Sequence, residues 1–132
     1  MEVTSIDHVN LRIPDDGSDD AVDFYRNRLG FDIEGMERYR SGDQSFFDVR
    51  LAPAHVIHLW PTAEFEPPSG DNFNHVALLV DVDVESLKEQ LADIGVSIDM
   101  ELDAPLGATG RAPAVYVTDP FGYQIELKTA AE

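Results

Sequence analysis

Apolar and polar side chains alternate along several short stretches of the chain, which predicts β-strands with one face in a core and one polar face. In residues 6–13, Val9, Leu11 and Ile13 fall on one face. The other predicted strands cover residues 31–38, 44–51, 55–60, 73–80, 96–102, 114–118 and 123–128. The chain is therefore expected to form sheets that are apolar on one side and polar on the other.

Two stretches carry apolar residues at helical spacing instead. The first runs from an N-cap at Ser18 or Asp19 to a C-terminal cap at Gly30. The second covers residues 84–93, with Asp83 as its N-cap. Each half of the chain is thus predicted to have the order β-α-β-β-β.

The second half of the chain repeats landmarks of the first at a nearly constant offset. His75 follows His8 by 67 residues, and Glu126 follows His58 by 68. The prediction is a single domain of residues 1–132 with module 1 at 1–62, a Pro- and Gly-containing linker at 61–72 and module 2 at 73–132. A duplicated unit of this kind predicts an α+β fold, in which two βαβββ modules form a curved, incompletely closed eight-stranded barrel with the helices outside.

Charge and composition exclude several partners. The net charge is −17, from 26 acidic and 9 basic residues, which disfavours nucleic acid and anionic membranes. Only Lys88 and Lys128 are lysines, and an acid-rich, lysine-poor surface is typical of proteins from salt-loving microbes. No signal peptide or long apolar run is apparent, so a cytoplasmic protein is expected. The chain has no cysteine, so any metal must be held by His, Asp or Glu.

The repeat places four potential metal ligands at equivalent positions. His8 and His75 lie in the first strands of the two halves, and His58 and Glu126 lie in the last. If a pseudo-twofold axis relates the halves, these side chains converge near it. Imidazole and carboxylate ligands suit Zn, Ni, Fe, Mn or Co. His55, on the opposite face of its strand from His58, is not expected to take part.

Several short motifs resemble one protein family. They are Asp7-His8-Val9, Phe24-Tyr25, Leu29-Gly30-Phe31, Asn74-His75-Val76-Ala77, and Asp119-Pro120-Phe121-Gly122 followed by Ile125-Glu126-Leu127. With these motifs the chain resembles the vicinal oxygen chelate superfamily, which includes glyoxalase I, bleomycin-resistance proteins, fosfomycin-modifying enzymes, methylmalonyl-CoA epimerase and extradiol dioxygenases. It is most similar to uncharacterised glyoxalase-family proteins.

The resemblance implies that His8, His75 and Glu126 are metal ligands and that Glu126 is the candidate catalytic residue. His58 stands where glyoxalase I carries a glutamate that is both ligand and base, which argues against lactoylglutathione as substrate. A divalent-metal lyase, isomerase or epimerase acting on a small molecule is therefore expected, in a homodimer. The alternatives are an extradiol-type ring-cleaving dioxygenase and a metal-free binding protein of the bleomycin-resistance type.

Other side chains on the polar faces of the predicted strands are candidates for shaping a substrate pocket. The candidate substrate-binding residues are Asn10, Arg12, Phe46, Asp48, Arg50, Trp60, Arg111 and Tyr116. All of them except Arg111 share strand faces with the proposed ligands. Arg111 lies in a glycine-containing loop, where its cation could bind a substrate anion.

Overall fold

A computed structural model of the chain describes residues 1–130. The chain divides into two compact units, Met1–Glu66 and Pro67–Glu132, and the boundary falls within the predicted linker. The first unit contains β1 (His8–Pro14), α1 (Ser18–Ala21), a π-helical segment (Val22–Arg28), β2 (Asp32–Glu34), α2 (Met36–Ser41), β3 (Phe47–Ala52) and β4 (His55–Thr62). The second contains β5 (His75–Val80), α3 (Val84–Asp93), β6 (Met100–Leu102), β7 (Leu106–Gly107), β8 (Gly110–Arg111), β9 (Ala114–Thr118) and β10 (Gln124–Thr129).

Each unit is built on a four-stranded sheet with the same topology. The strand order is β1-β4-β3-β2 in the first unit and β5-β10-β9-β6 in the second. In both sheets the first strand is parallel to the last, and the other neighbours are antiparallel. The α+β class and the two βαβββ modules are therefore confirmed. Across residues 1–130 the main strands form two four-stranded sheets and no closed barrel.

The alternating pattern predicts the core of each unit correctly. In the first sheet, Leu11, Ile13, Phe47, Val49, Ile57 and Leu59 are all at most 3% exposed. In the second, the buried strand residues include Val115, Val117, Ile125 and Leu127, and α3 contributes the buried side chains of Leu87 and Leu91. Burying each such aliphatic side chain contributes roughly 1.5–3 kcal/mol, which holds the strands with their polar faces turned away from the core.

The helix predicted from residue 18 is present but changes its winding. Its N-cap is Gly17, with no side-chain cap, so the predicted cap at Ser18 or Asp19 is wrong. After Ala21 the winding becomes π-helical, and Leu29 N donates to Phe24 O, five residues back. The wider turn lets Phe24 and its neighbour Tyr25 both face the core, where their rings meet edge to face.

Two predicted strands are much shorter than expected. The strand at 31–38 ends at Glu34, because Gly35 takes φ +79° and starts α2, which Gly42 ends at φ +84°. Charged residues follow Gly35 without the alternation that a half-buried strand needs. The strand at 96–102 covers only Met100–Leu102.

None of the helices in residues 1–130 has the length and apolar character that a membrane span requires.

Candidate functional site

The first unit places His8 and His58 side by side on the polar face of its sheet. β1 and β4 are parallel neighbours, with His8 paired with Val56 and His58 paired with Asn10. The two imidazole rings therefore meet, with centroids 4.1 Å apart and planes at 43°. The first unit thus contains two adjacent imidazoles, which are candidate metal ligands.

A carboxylate accepts a hydrogen bond from Nδ1 of each of these rings. Asp7 Oδ2 lies 2.7 Å from His8 Nδ1, and Asp48 Oδ1 holds His58 Nδ1 from the neighbouring strand. The hydrogen bond from His8 lowers the pKa of Asp7, which keeps that carboxylate ionised. An ionised carboxylate only accepts hydrogen bonds, so both rings carry their proton on Nδ1 and leave the Nε2 lone pair for a ligand.

The second unit brings His75 and Glu126 together. His75 Nε2 lies 3.7 Å from Glu126 Oε2, and Glu126 is only 6% exposed. Asn74 Oδ1 is 2.7 Å from His75 Nδ1. In that arrangement Asn74 orients His75 as Asp7 orients His8. Asn74 follows Asp7 by 67 residues, the same offset that separates the two histidines.

Tyr116 is the third member of the cluster in the second unit. Its hydroxyl lies 3.2 Å from His75 Nε2. Burial, and then the charge of Glu126, raise the pKa of Tyr116, so its hydroxyl remains protonated at neutral pH. The Tyr116 hydroxyl therefore has two hydrogen-bonding neighbours, His75 Nε2 and the Glu126 carboxylate. The cluster thus offers a neutral hydrogen-bond donor beside a carboxylate and an imidazole.

The strand registers show that these groups occupy equivalent places in the two sheets. His58 stands opposite Asp48 in the β3–β4 pair, and Glu126 stands opposite Tyr116 in the β9–β10 pair. Both His58 and Glu126 also pair with the residue two positions after the histidine of the first strand. The repeat seen in the sequence is therefore reproduced residue by residue in the hydrogen-bonded pairs.

Three of the candidate substrate-binding residues continue the row of rings in the first unit. Phe46 lies 4.3 Å from His58 between ring centroids, and Trp60 stacks on Phe46 at 5.3 Å with planes at 14°. The guanidinium of Arg12 lies 4.8 Å from the centre of the Trp60 ring, in cation–π geometry. These contacts form a continuous row of stacked side chains next to His58.

The remaining candidates differ in their surroundings. Asn10 is exposed on β1, on the face that carries His8. Arg50 Nη2 lies 2.9 Å from Glu34 Oε1, and this hydrogen-bonded partner raises the pKa of Arg50. The guanidinium also donates to the carbonyl oxygens of residues 52 and 53, which fixes Arg50 at the far end of β3.

Arg111 lies in a different part of its unit from the candidate ligands. It lines a cavity of about 640 Å³ formed by residues 80–84, 111–113 and 129–130. Its Nη1 donates to the carbonyl oxygen of Ala104 at 3.1 Å. Neither His75 nor Glu126 lines this cavity, so the geometry connects Arg111 with the loop rather than with the ligand pair.

Sequence reasoning missed two residues that the structure brings to these clusters, and a third that is buried on the same strand as Glu126. Asp7 and Asn74 support the two first-strand histidines, and their signal in the sequence was a polar residue preceding each histidine at the repeat offset. Lys128 is buried on the face of β10 that carries Glu126. Its signal was its position two residues after Glu126 in an alternating strand.

The donor set fits a divalent transition metal by its chemistry. Three imidazoles with hydrogen-bonded Nδ1 atoms and one buried carboxylate match the nitrogen and oxygen ligands that Zn, Ni, Fe, Mn and Co prefer. Within residues 1–130, no three His, Asp or Glu side chains lie together in a group that could hold an ion.

Comparisons with known proteins agree with the fold. A family model described as the glyoxalase/bleomycin resistance protein/dioxygenase superfamily matches residues 5–127. No curated protein sequence matches the chain.

Among solved structures, a virulence protein from Salmonella typhimurium is 24% identical, with 99% of this chain and 100% of that chain covered and a TM-score of 0.77. A glyoxalase family protein from Bacillus anthracis is 22% identical, with 99% and 98% covered and a TM-score of 0.72. A glyoxalase/dioxygenase from Nostoc punctiforme is 22% identical, with 98% and 92% covered and a TM-score of 0.67. At these identities the likeness shows a shared fold.

Proposed function

Because the chain belongs to the glyoxalase/bleomycin resistance protein/dioxygenase superfamily, we propose that it is a metal-dependent lyase, isomerase or epimerase of the glyoxalase type. Its substrate is a small molecule that presents two neighbouring oxygens to a divalent ion. The proposed ligands are His8, His58, His75 and Glu126. The observation that supports this assignment is the pair of equivalent clusters, in which each of the three proposed histidine ligands has its Nδ1 hydrogen-bonded to a side-chain oxygen.

The chain's own groups have separate roles in this proposal. A bound divalent ion supplies Lewis acidity, which stabilises an enolate or alkoxide as it develops. Asp48 and Asp7 fix the imidazoles of His58 and His8 in the ligating tautomer. Tyr116 donates a hydrogen bond to a substrate oxygen, which its raised pKa allows at neutral pH. Glu126 is the proposed catalytic residue, because its buried carboxylate would be both a ligand for the ion and a proton acceptor.

Proton exchange tests this proposal most directly. The protein is loaded separately with Zn and Ni and incubated in deuterated water with a panel of α-hydroxycarbonyl compounds and thioesters. Exchange of the α-proton is expected with both metals and without oxygen, because only Lewis acidity is required. The Glu126→Gln variant should lose exchange. The proposal is wrong if no metal supports exchange of any compound.

A ring-cleaving dioxygenase is the second candidate, and one observation favours it. His58 has a hydrogen-bond partner, Asp48, within its own unit, and in this candidate it serves beside the metal instead of binding it. The ligands would then be His8, His75 and Glu126, the two-histidine, one-carboxylate set of Fe(II) oxygenases. Oxygen uptake with a catechol panel on the Fe(II) form, lost in His8→Ala, would establish this candidate. A metal-loaded protein with neither activity would favour a binding protein of the bleomycin-resistance type.

We further propose a homodimer of twofold symmetry. The first strands, β1 and β5, are edge strands of their sheets, and edge strands expose unpaired backbone groups. Apolar side chains are also exposed in the second unit, with Leu79 at 56%, Met100 at 46% and Leu106 at 71%. Light scattering at micromolar protein in molar salt should give the mass of two chains. A single-chain mass would contradict the proposal.

A further inference from the structure

Lys128 is a buried amine close to the proposed ligand Glu126. It follows Glu126 by two residues on β10, so both side chains lie on the same face of the sheet. Its backbone pairs with Leu79 on β5 and Ala114 on β9, and only 3% of the residue is exposed. The two Cα positions are about 7 Å apart along the strand. A cation therefore lies within the length of a small organic molecule from the candidate metal site.

Within residues 1–130, Lys128 hydrogen-bonds to the backbone and not to a carboxylate. Nζ donates to the carbonyl oxygen of Ala112 at 3.2 Å, and no carboxylate in residues 1–130 pairs with it. The other lysine, Lys88, pairs with Glu85 and Glu101 instead. An ammonium has three donors, and lysines are almost never fully buried without a partner because removing the charge from water is costly. The environment of Lys128 is therefore suited to an anion.

A small ribbon covers the side chain of Lys128. A Cβ atom at Gly107 would lie 2.7 Å from Lys128 Cε, so the absence of a side chain there makes room for the lysine stem. The ribbon consists of β7 and β8, which pair through two residues each and join neither larger sheet. An isolated two-stranded ribbon of this length is only marginally stable, so lifting it to admit a ligand costs little.

We infer that Lys128 binds a carboxylate of the substrate, at a point beyond the two neighbouring oxygens that approach Glu126. This inference rests on the proposed function for the position of those oxygens. It defines the substrate class as a small dicarboxylic acid with a 2-oxo or 2-hydroxy group at one end. In a chain with a net charge of −17, a carboxylate ligand needs a local cation, and Lys128 provides one on the correct face.

The test compares pairs of ligands that differ only in the distal carboxylate. Calorimetry measures the binding of 2-oxoglutarate and 2-oxopentanoate, and of 2-oxoadipate and 2-oxohexanoate, to the full-length Zn-loaded protein. The dicarboxylate of at least one pair should bind about 10- to 100-fold more tightly, which is the contribution of a hydrogen-bonded charge. Lys128→Met should remove this preference and leave the affinity of the monocarboxylate unchanged. Lys88→Met, which removes the other lysine where it pairs with Glu85 and Glu101, is the matched control and should retain the preference.

Stability of the metal-free protein separates a binding role from a structural one. If Lys128 lacks a counterion, Lys128→Met should melt at the same temperature as the wild type or higher, because an apolar side chain of similar length replaces a buried charge. Glutarate should raise the melting temperature of the wild type and not that of Lys128→Met, even if no metal binds and the proposed function fails. A dicarboxylate preference that persists in Lys128→Met, or a destabilised variant with no glutarate effect on the wild type, would overturn the inference.

Discussion

The two units of the chain use one backbone arrangement for different chemistry. In both, the histidine of the first strand lies beside a ligand candidate on the last strand. At the two supporting positions the first unit carries the carboxylates of Asp7 and Asp48. The second carries the neutral groups of Asn74 and Tyr116. In the first unit the negative charges are thus on the carboxylates that hydrogen-bond to the imidazoles. In the second unit the negative charge is on the proposed ligand Glu126 itself.

This difference separates what the fold determines from what the side chains determine. The strand pairs around His58 and Glu126 have the same register, so the backbone places the candidate ligands at the same positions in each sheet. The residue types at those positions then decide whether charge reaches a metal directly or through a hydrogen-bonded ring. A carboxylate that accepts a hydrogen bond from Nδ1 makes the imidazole a more basic metal ligand. We therefore expect metal affinity to depend more on the hydrogen-bonding partners of the histidines in the first unit than on those in the second.

The largest expected effect is the loss of metal binding when a ligand is changed. Glu126→Gln removes the only charged ligand, so metal affinity should fall by more than about 100-fold, beyond the range seen for supporting residues. His58→Gln, at the equivalent place in the first unit, should cost less because a neutral ligand is lost. Elemental analysis and competition with a chelating dye measure both. His55→Gln is the control, since His55 Nδ1 contacts the Ile6 carbonyl oxygen at 2.5 Å and lies on the other face. Equal losses in all three variants would remove the distinction.

A second test compares the equivalent supports Asp48 and Tyr116. Asp48→Ala should lower metal affinity by about 10- to 100-fold, because His58 loses the group that fixes its tautomer. Asp48→Asn should recover part of the loss, since an amide oxygen still accepts. Tyr116→Phe should leave metal affinity unchanged or slightly raised, because its hydroxyl competes for His75 Nε2. A larger loss in Tyr116→Phe than in Asp48→Ala would reverse the comparison.

Salt should affect both units alike, because both are acidic. Residues 1–66 contain 14 acidic and 6 basic side chains, and residues 67–132 contain 12 and 3. Carboxylates repel one another less when they are screened, so the melting temperature should rise by several degrees from tens of millimolar to molar salt. A melting temperature that does not depend on salt would exclude adaptation to high salt.

The smallest effect concerns the helix starts, which differ between the units. The Asp83 side chain accepts from Ser86 N at 2.8 Å, whereas the helix at Ser18 has no side-chain cap. Asp83→Ala should lower the melting temperature by a few degrees. Hydrogen bonds from Ser86 lower the pKa of Asp83, so its contribution is present above the unfolded pKa of about 3.9 and is lost as pH falls through the lower folded value. Melting of both proteins at neutral and strongly acidic pH measures this. A difference that persists in strong acid would contradict the assignment.

The sequence predicted those parts of the fold that depend on local pattern. The bounds of α3 and β9 and the Asp83 cap follow from periodicity and capping. The repeat offset anticipated the equivalent placement of His58 and Glu126. The π-helical segment and α2 were not predictable in this way, because one depends on tertiary packing of Phe24 and the other on a left-handed glycine. The hydrogen bonds to the histidines depend on side-chain rotamers, and the position of Arg111 depends on the path of its loop. The periodicity of apolar residues in the sequence reveals neither.

The parallel pairing of the first and last strands has a consequence for the order of folding. Each sheet joins residues about 50 positions apart in sequence, so neither ligand pair can exist before the last strand of its unit docks. Such distant pairing is slow, because the intervening chain must be ordered first. Trp60, the single tryptophan, lies on the last strand of the first unit. Its fluorescence during refolding will report the completion of that unit, whereas the pairing of His75 with Glu126 requires the docking of β10.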